Sequence, residues 1–363
     1  MEKTKDLRFY LAFLVLFAVL LPLGNLTGLV SNNTISLWGR YFCFAIAALG
    51  VDLIWGYTGI LSMCQAFFFC LGGYSVAMHI VMKGASANGT GIPDFMVWNQ
   101  VNSLPFFWVP FQSFGLALIL GLLIPAAFAF VFGYFIFRSR IKGVYMAIIT
   151  QALALAMWLL FLRNETMLGG TNGLTDFKSL LGLSLSSPAV KLGLYLISLA
   201  GLCGAYFLSK KLVDSKFGKV LQAIRDSESR TSYTAYRVLD YKLAIFIAGA
   251  LLAAFAGMLY APQTGIITPG RMDVRASVEM VMWVALGGRG KLKGAVLGAL
   301  VVNFLYSICT SLFPDSWLFI LGFLFVITVL YFDKGFLGMI EKISGGIGKR
   351  KSSIKEVAEQ QVV

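Results

Sequence analysis

Ionisable side chains are scarce in this chain. Asp, Glu, Lys and Arg make up 13% of its 363 residues, and His79 is the lone histidine. A soluble domain of ordinary surface carries about 25% charged residues, so this supply excludes one. A single imidazole excludes metal clusters and proton relays built from several histidines, and His79, on an apolar run, is read as a packing residue. Five cysteines, Cys43, Cys64, Cys70, Cys203 and Cys309, fall in or beside apolar runs without paired spacing. That excludes a disulfide framework or a zinc site and leaves small core residues. A phosphate loop is missing too. Gly345-Gly346-Ile347-Gly348-Lys349 lacks the first glycine at the required distance and the following Ser or Thr. Gly288-Arg289-Gly290-Lys291-Leu292-Lys293-Gly294 is one residue too long for a dinucleotide fingerprint. No Ser/His/Asp or Cys/His arrangement has an exit to water. The chain is therefore expected to be no enzyme and to hold no metal and no cofactor.

What it has instead is apolar length. Hydrophobic residues make up 58% of the chain and the mean hydropathy is +0.80. Runs of about 17 to 25 apolar residues, enough to cross roughly 30 Å of hydrocarbon, recur without the alternation of barrel strands. The expected fold is an all-α polytopic bundle of ten membrane helices. The spans run from Phe9 to Val30, read as a span and not a cleaved leader, then Tyr41 to Trp55, Ile60 to Met82, Ser113 to Phe137 and Val144 to Leu162. They continue with Ala189 to Ser209, Leu243 to Ala261, a short Ala276 to Gly287, Gly294 to Ser311 and Trp317 to Phe332. Residues 1–8 and 333–363 are expected to be cytoplasmic ends flanking a permease-like body, 9–332. The loop from Lys83 to Gln112 is expected to rest on the membrane surface through Trp98, Phe106, Phe107 and Trp108.

Charge orients the bundle. With an inner amino terminus, the inner segments hold three basic residues at the start, three at Arg138 to Lys142, eight in the loop Lys210 to Lys242, three around Arg289 and six in the tail. That is 23 of the 30, against seven outside, as the positive-inside rule expects. The formal charge of +13 therefore calls for no nucleic-acid partner. Only Asp52 and Glu279 are acidic at membrane depth, and each is read as meeting a nearby Arg, Ser or water.

The densest charge inside the body lies in the central loop. There Phe217, Val220, Leu221 and Ile224 recur at i, i+3, i+4 and i+7, an apolar stripe on a helix capped by Asp214 or Ser215. Arg225 and Asp226 follow it. The stripe either packs on its own domain or enters a groove on a cytoplasmic partner. Glycines at Gly56 and Gly59 and at Gly287, Gly288 and Gly290 interrupt apolar runs and point to a permeation route or to close packing. Gly294 and Gly298 have the G-x-x-x-G spacing of tight helix contacts. Ser62, Gln65, Thr150, Gln151 and Asn303 are the scattered neutral hydrogen-bonding groups that a pathway for a small polar solute wants.

The segments DLIWGYTGILSMCQAFFFCLGGYSVAM, LGGTNGLTDF, FGKVLQAIRDSESR, YAPQTGIITPG, SVEMVMWVALGGRGKLKGAVLGALVVN and PDSWLFILGFLFVITVLYFDKGFLG together cover nearly the whole chain. In them it resembles the permease subunits of ABC importers for branched-chain amino acids and urea. WVALGGRG and PQTGIITP are similar to the urea branch, in particular the longer of its two permeases. Cys64, Lys291 and Lys293 depart from that family's pattern. The resemblance implies a heterodimer with a second, homologous permease, two cytoplasmic ATP-binding subunits and an extracytoplasmic substrate-binding protein. It also implies a multi-pass place among the lipids of a bacterial inner membrane. The family's ATPase-coupling segment falls on Phe217 to Arg230. The competing readings are a branched-chain amino-acid permease, an autonomous channel or ion-coupled carrier, and a membrane scaffold.

Overall fold

The computed structural model describes residues 13–312 apart from 88–90, 100, 102 and 142, and beyond them isolated positions between 316 and 338. The expected inner start, the tenth span and the tail therefore lie outside the described residues or nearly so. Among the described residues, seven helices are long and apolar enough to cross a membrane: α2 (Asn32–Thr58), α3 (Gln65–Ala87), α5 (Phe114–Arg138), α6 (Val144–Leu162), α7 (Pro188–Asp214), α10 (Val238–Thr264) and α12 (Leu292–Leu312). Between them lie the shorter α1 (Val15–Leu26), α4 (Asp94–Trp98), α8 (Lys216–Asp226), α9 (Glu228–Tyr233) and α11 (Val274–Gly287). A two-residue hairpin, β1 (Ser179–Leu180) with β2 (Leu183–Ser184), is the one sheet among the described residues.

The two most buried spans are the two least apolar. In α2 and α3, 78% and 89% of the most apolar window is buried, against 22% in α5 and α6. The outer helices spend their hydrophobicity on lipid, and the inner ones can carry Gly, Ser and Asp because they face protein. Helix α2 packs on α7, α10, α11 and α12, and α10 packs on α3 and α5 as well. The central contacts are made backbone to backbone. A Cβ at Gly50 would stand 2.7 Å from the carbonyl of Gly249, and one at Gly72 or Gly257 would collide with the backbone of Ala254 or Phe69. Where lipid removes most of the hydrophobic drive between helices, such close approach supplies dispersion contacts instead.

Several expected boundaries are corrected. Ser31 to Arg40 is not a polar loop: Ser31 caps α2, its hydroxyl accepting the Thr34 N–H at 3.2 Å, and the helix runs on unbroken through Gly56 to Thr58. Gly59 alone leaves it, in a left-handed turn at φ 77° that a glycine adopts without strain. Residues 59–64 are irregular, so α3 starts at Gln65 and not at Ile60. Trp108 does not lie on a surface. It is fully buried and donates its indole N–H to the Met167 carbonyl at 3.1 Å, while Phe106 is exposed; the side chain of Trp98 is outside the described residues. Cys203 is exposed, unlike Cys43, Cys64 and Cys70.

Candidate functional site

One face of the bundle gathers the ends of α2 and α5, the start of α6, helices α8 and α9, and the turn between α11 and α12. These are the segments that the basic residues group together. Helix α8 seats itself on this face by its stripe. Leu221 and Ile224 are buried at 0% and 3% exposure, and Phe217 stacks on Tyr241 at 5.1 Å. The stripe Phe217, Val220, Leu221, Ile224 is therefore not a free surface offered to a partner; its own bundle fills that role. Ser215 holds the capping position, but its hydroxyl donates back to the Leu212 carbonyl at 2.6 Å instead of capping. What faces outward is the other side of α8, where Lys216, Lys219, Ala223 and Asp226 recur at helical spacing, continued by Tyr233 of α9. A Lys242–Glu228 ion pair at 2.7 Å, with Lys242 buried, pins α9 to the start of α10.

The two glycine-rich interruptions meet here. Asp52, buried in α2, accepts the Gly290 N–H at 2.7 Å, and Arg225 of α8 donates to the Gly56 carbonyl at 2.9 Å. Arg289 donates to the Trp55 carbonyl at 3.2 Å and lies over the Trp55 ring at 4.8 Å. A Cβ on Gly56 would strike Gly290, at 2.7 Å from its nitrogen. The other oxygen of Asp52 is buried and unpartnered among the described residues. The end of α2 is thus held on one side by the surface helix and on the other by the α11–α12 turn. Helices α11 and α12 close on each other through Gly287, Gly294 and Gly298: a Cβ on Gly298 would lie 2.8 Å from Gly287. Gly288 enters the turn at φ 115°.

Of the five neutral residues singled out from sequence, the fold brings three together. The irregular segment 59–64 rises from the α8 face into the bundle, and α3 begins there. Thr150 of α6 accepts the Met63 N–H at 2.9 Å, and Ser277 of α11, which the sequence reading missed, accepts the Ala66 N–H at 3.4 Å. Ser62, Gln65, Thr150 and Ser277 are all buried, and neither amide atom of Gln65 has a partner among the described residues. Gln151, by contrast, is exposed on α6. Asn303 sits elsewhere, its amide N–H donating to the Ala299 carbonyl at 2.8 Å.

Asn303 lines a cleft of about 830 Å³ that opens toward the opposite face between α2, α11, α12 and the connection 265–273. That connection is not a surface loop. Pro269 and Met272 are buried, and the Arg271 guanidinium lies 5.4 Å from the Tyr260 ring and 5.9 Å from that of Phe44. Phe44 is twelve residues along α2, about 18 Å from its start, so the connection dips deep into the bundle. Helix α11 begins at that depth, which is why it has only 14 residues. Above, Leu174 and Ile267 exchange backbone hydrogen bonds of 2.9 Å, tying the Gly-rich loop to the dipping connection. His79 is buried, its Nδ1 2.9 Å from the Phe111 carbonyl oxygen.

Comparison with known proteins places these features in a family. A family model described as branched-chain amino acid transport system / permease component matches residues 33–329. The high-affinity branched-chain amino acid transport system permease protein LivM of Escherichia coli is 24% identical over 94% of this chain and 78% of its own length. A probable branched-chain amino acid transport permease protein LivM of Methanocaldococcus jannaschii is 25% identical over 74% of this chain and 78% of its own. The ribose import permease protein RbsC of Haemophilus influenzae is 20% identical over 60% of this chain and 67% of its own. No solved structure matches.

Proposed function

The chain belongs to the family of branched-chain amino acid transport system permease components, and from that premise we propose that it is one permease of an ATP-driven importer whose cargo is urea. Its relatives are permeases, not enzymes. Relatives at this distance are named for branched-chain amino acids and for ribose, so membership speaks for the architecture and leaves cargo to the chain's own residues. The observation that carries the urea reading is the neutral polar cluster buried where α3 begins. Gln65 offers an amide with both ends open, Ser62 and Ser277 add hydroxyls, Thr150, already bonded to Met63 and to its own helix, closes the cluster, and among the described residues no charged group is bonded to them. Urea, a planar amide with N–H donors and one carbonyl, pairs with that set without the cost of stripping an ion. The likeness of WVALGGRG and PQTGIITP to urea permeases agrees.

The face carrying α8 is cytoplasmic in this proposal, since most of the Lys and Arg lie on it. Two ATP-binding subunits grip the outer side of α8, and its motion passes across the fixed end of α2, through Arg225 and Asp52, to the α11–α12 turn. A second permease completes the pathway, and a binding protein delivers solute at the opposite face. The second reading is a branched-chain amino-acid permease, favoured by the family description and by paired charges in the deep cleft. Uptake of labelled urea and labelled leucine by cells lacking this chain separates the two. Loss of urea uptake at low concentration with leucine uptake retained is the expected result, and the reverse establishes the second reading.

A further inference from the structure

The cleft on the opposite face has no part in the coupling machinery, and charge lines it at a depth where charge is expensive. Arg40, Arg271 and Arg275 stand around it with Asp273 and Glu279. Such groups do not face hydrocarbon; they face water, protein or a polar solute. Two of them are already engaged, Arg275 with Glu279 at 3.3 Å. Arg40 is different: its Nε is buried without a partner among the described residues. The deep wall is aromatic. The rings of Phe44 and Trp283 lie 5.0 Å apart, those of Phe44 and Tyr260 5.3 Å, and the Arg271 guanidinium covers Phe44 and Tyr260. Flat apolar faces, guanidinium donors and carboxylate or amide acceptors converge on a single volume, the usual make-up of a small-molecule site.

We propose that this cleft is where the chain first receives its solute: a small molecule that turns a carbonyl or carboxylate oxygen to Arg40 and Arg271, turns N–H groups to Glu279 and the Asn303 side-chain amide oxygen, and lies against the Arg271 guanidinium that caps the aromatic wall. The inference rests on the importer reading and deepens it. Urea and a branched-chain amino acid both carry this chemistry, and the α3 start lies further along the route, behind the Ala66–Ser277 contact.

Thr268→Cys, Met282→Cys and, at the rim, Ser307→Cys, all lining the cleft without an assigned solute contact, are made in the full chain and exposed in intact cells to a membrane-impermeant thiol reagent, with urea, leucine or sucrose present. Labelling above the parent chain at Thr268→Cys or Met282→Cys, slowed about fivefold or more by a saturating solute that fills the cleft but not by sucrose, is the expected result. Protection by urea alone supports the cleft and the urea cargo together. Protection by leucine alone supports the cleft and overturns urea. Labelling that neither solute slows overturns the cleft as a receiving site. So does its absence at the two deep positions while Ser307→Cys is labelled in a stably inserted chain. Urea uptake measured in the same cells tells that failure from failure of the importer reading, which stands if uptake is intact.

Discussion

Arg225 shows how much a single side chain can join. It leaves the surface helix α8, bonds the Gly56 carbonyl and passes 3.7 Å from where a Cβ on Gly290 would lie. Arg225→Ala removes the bond without emptying the core, so the variant is expected to insert and to co-purify with its ATPase at parent levels while uptake falls severalfold. Ile224→Asp is a different experiment. Its side chain is buried, and an unpaired carboxylate there costs several kcal/mol, so loss of folded chain in a detergent thermal-shift assay is the expected outcome. Lys216→Glu combined with Lys219→Glu alters exposed positions alone. Stability is expected to stay within about 0.5 kcal/mol, and ATPase co-purification to be lost. The stripe itself was legible, because a period of 3.6 is written in Phe217, Val220, Leu221 and Ile224. The direction it faces was not, because a short amphipathic helix serves its own bundle and a partner groove with the same pattern.

Among elements, the α11–α12 hairpin is the most tightly specified. Gly298→Ala places a methyl group against Gly287 and the Trp283 carbonyl. Overpacking of that kind costs about 1 to 3 kcal/mol, and a lowered melting temperature of the purified chain is the check. The G-x-x-x-G spacing announced this contact. The reading of Gly56 as a break was wrong for a related reason: inside a packed membrane helix, glycine signals close approach as often as interruption, and α2 passes through it to reach Gly290. The start of α3 was half legible. Polar residues in apolar runs marked Ser62, Gln65 and Thr150, but no spacing in the chain joins Ala66 to Ser277, 211 positions away. The dipping connection 265–273 escaped the sequence because its Arg and Asp resemble those of any exposed turn.

At the scale of the whole molecule, seven of the ten expected spans were readable from hydrophobic length; the first and eighth are the short α1 and α11, the tenth lies almost wholly outside the described residues, and burial was not readable. The lipid-facing helices α5 and α6 are more apolar than the central α2 and α3, while the central α10 is more apolar than α6, so hydropathy alone does not sort the layers. With no phosphate loop in the sequence, the purified chain is expected to show no ATP hydrolysis by itself. From gently solubilised membranes it is expected to bring down an ATPase and a second permease; recovery of the chain alone counts against the importer. The glycine crossings carry one last consequence. With main chain resting directly on main chain at Gly50, Gly72 and Gly257, helices α2, α3 and α10 have no flexible cushion on which to slide. They form a stator. Whatever alternates as solute crosses must swing around that fixed trio: the hairpin, locked within itself at Gly287, Gly294 and Gly298 and moving as one piece, with the dipping connection and the surface helix.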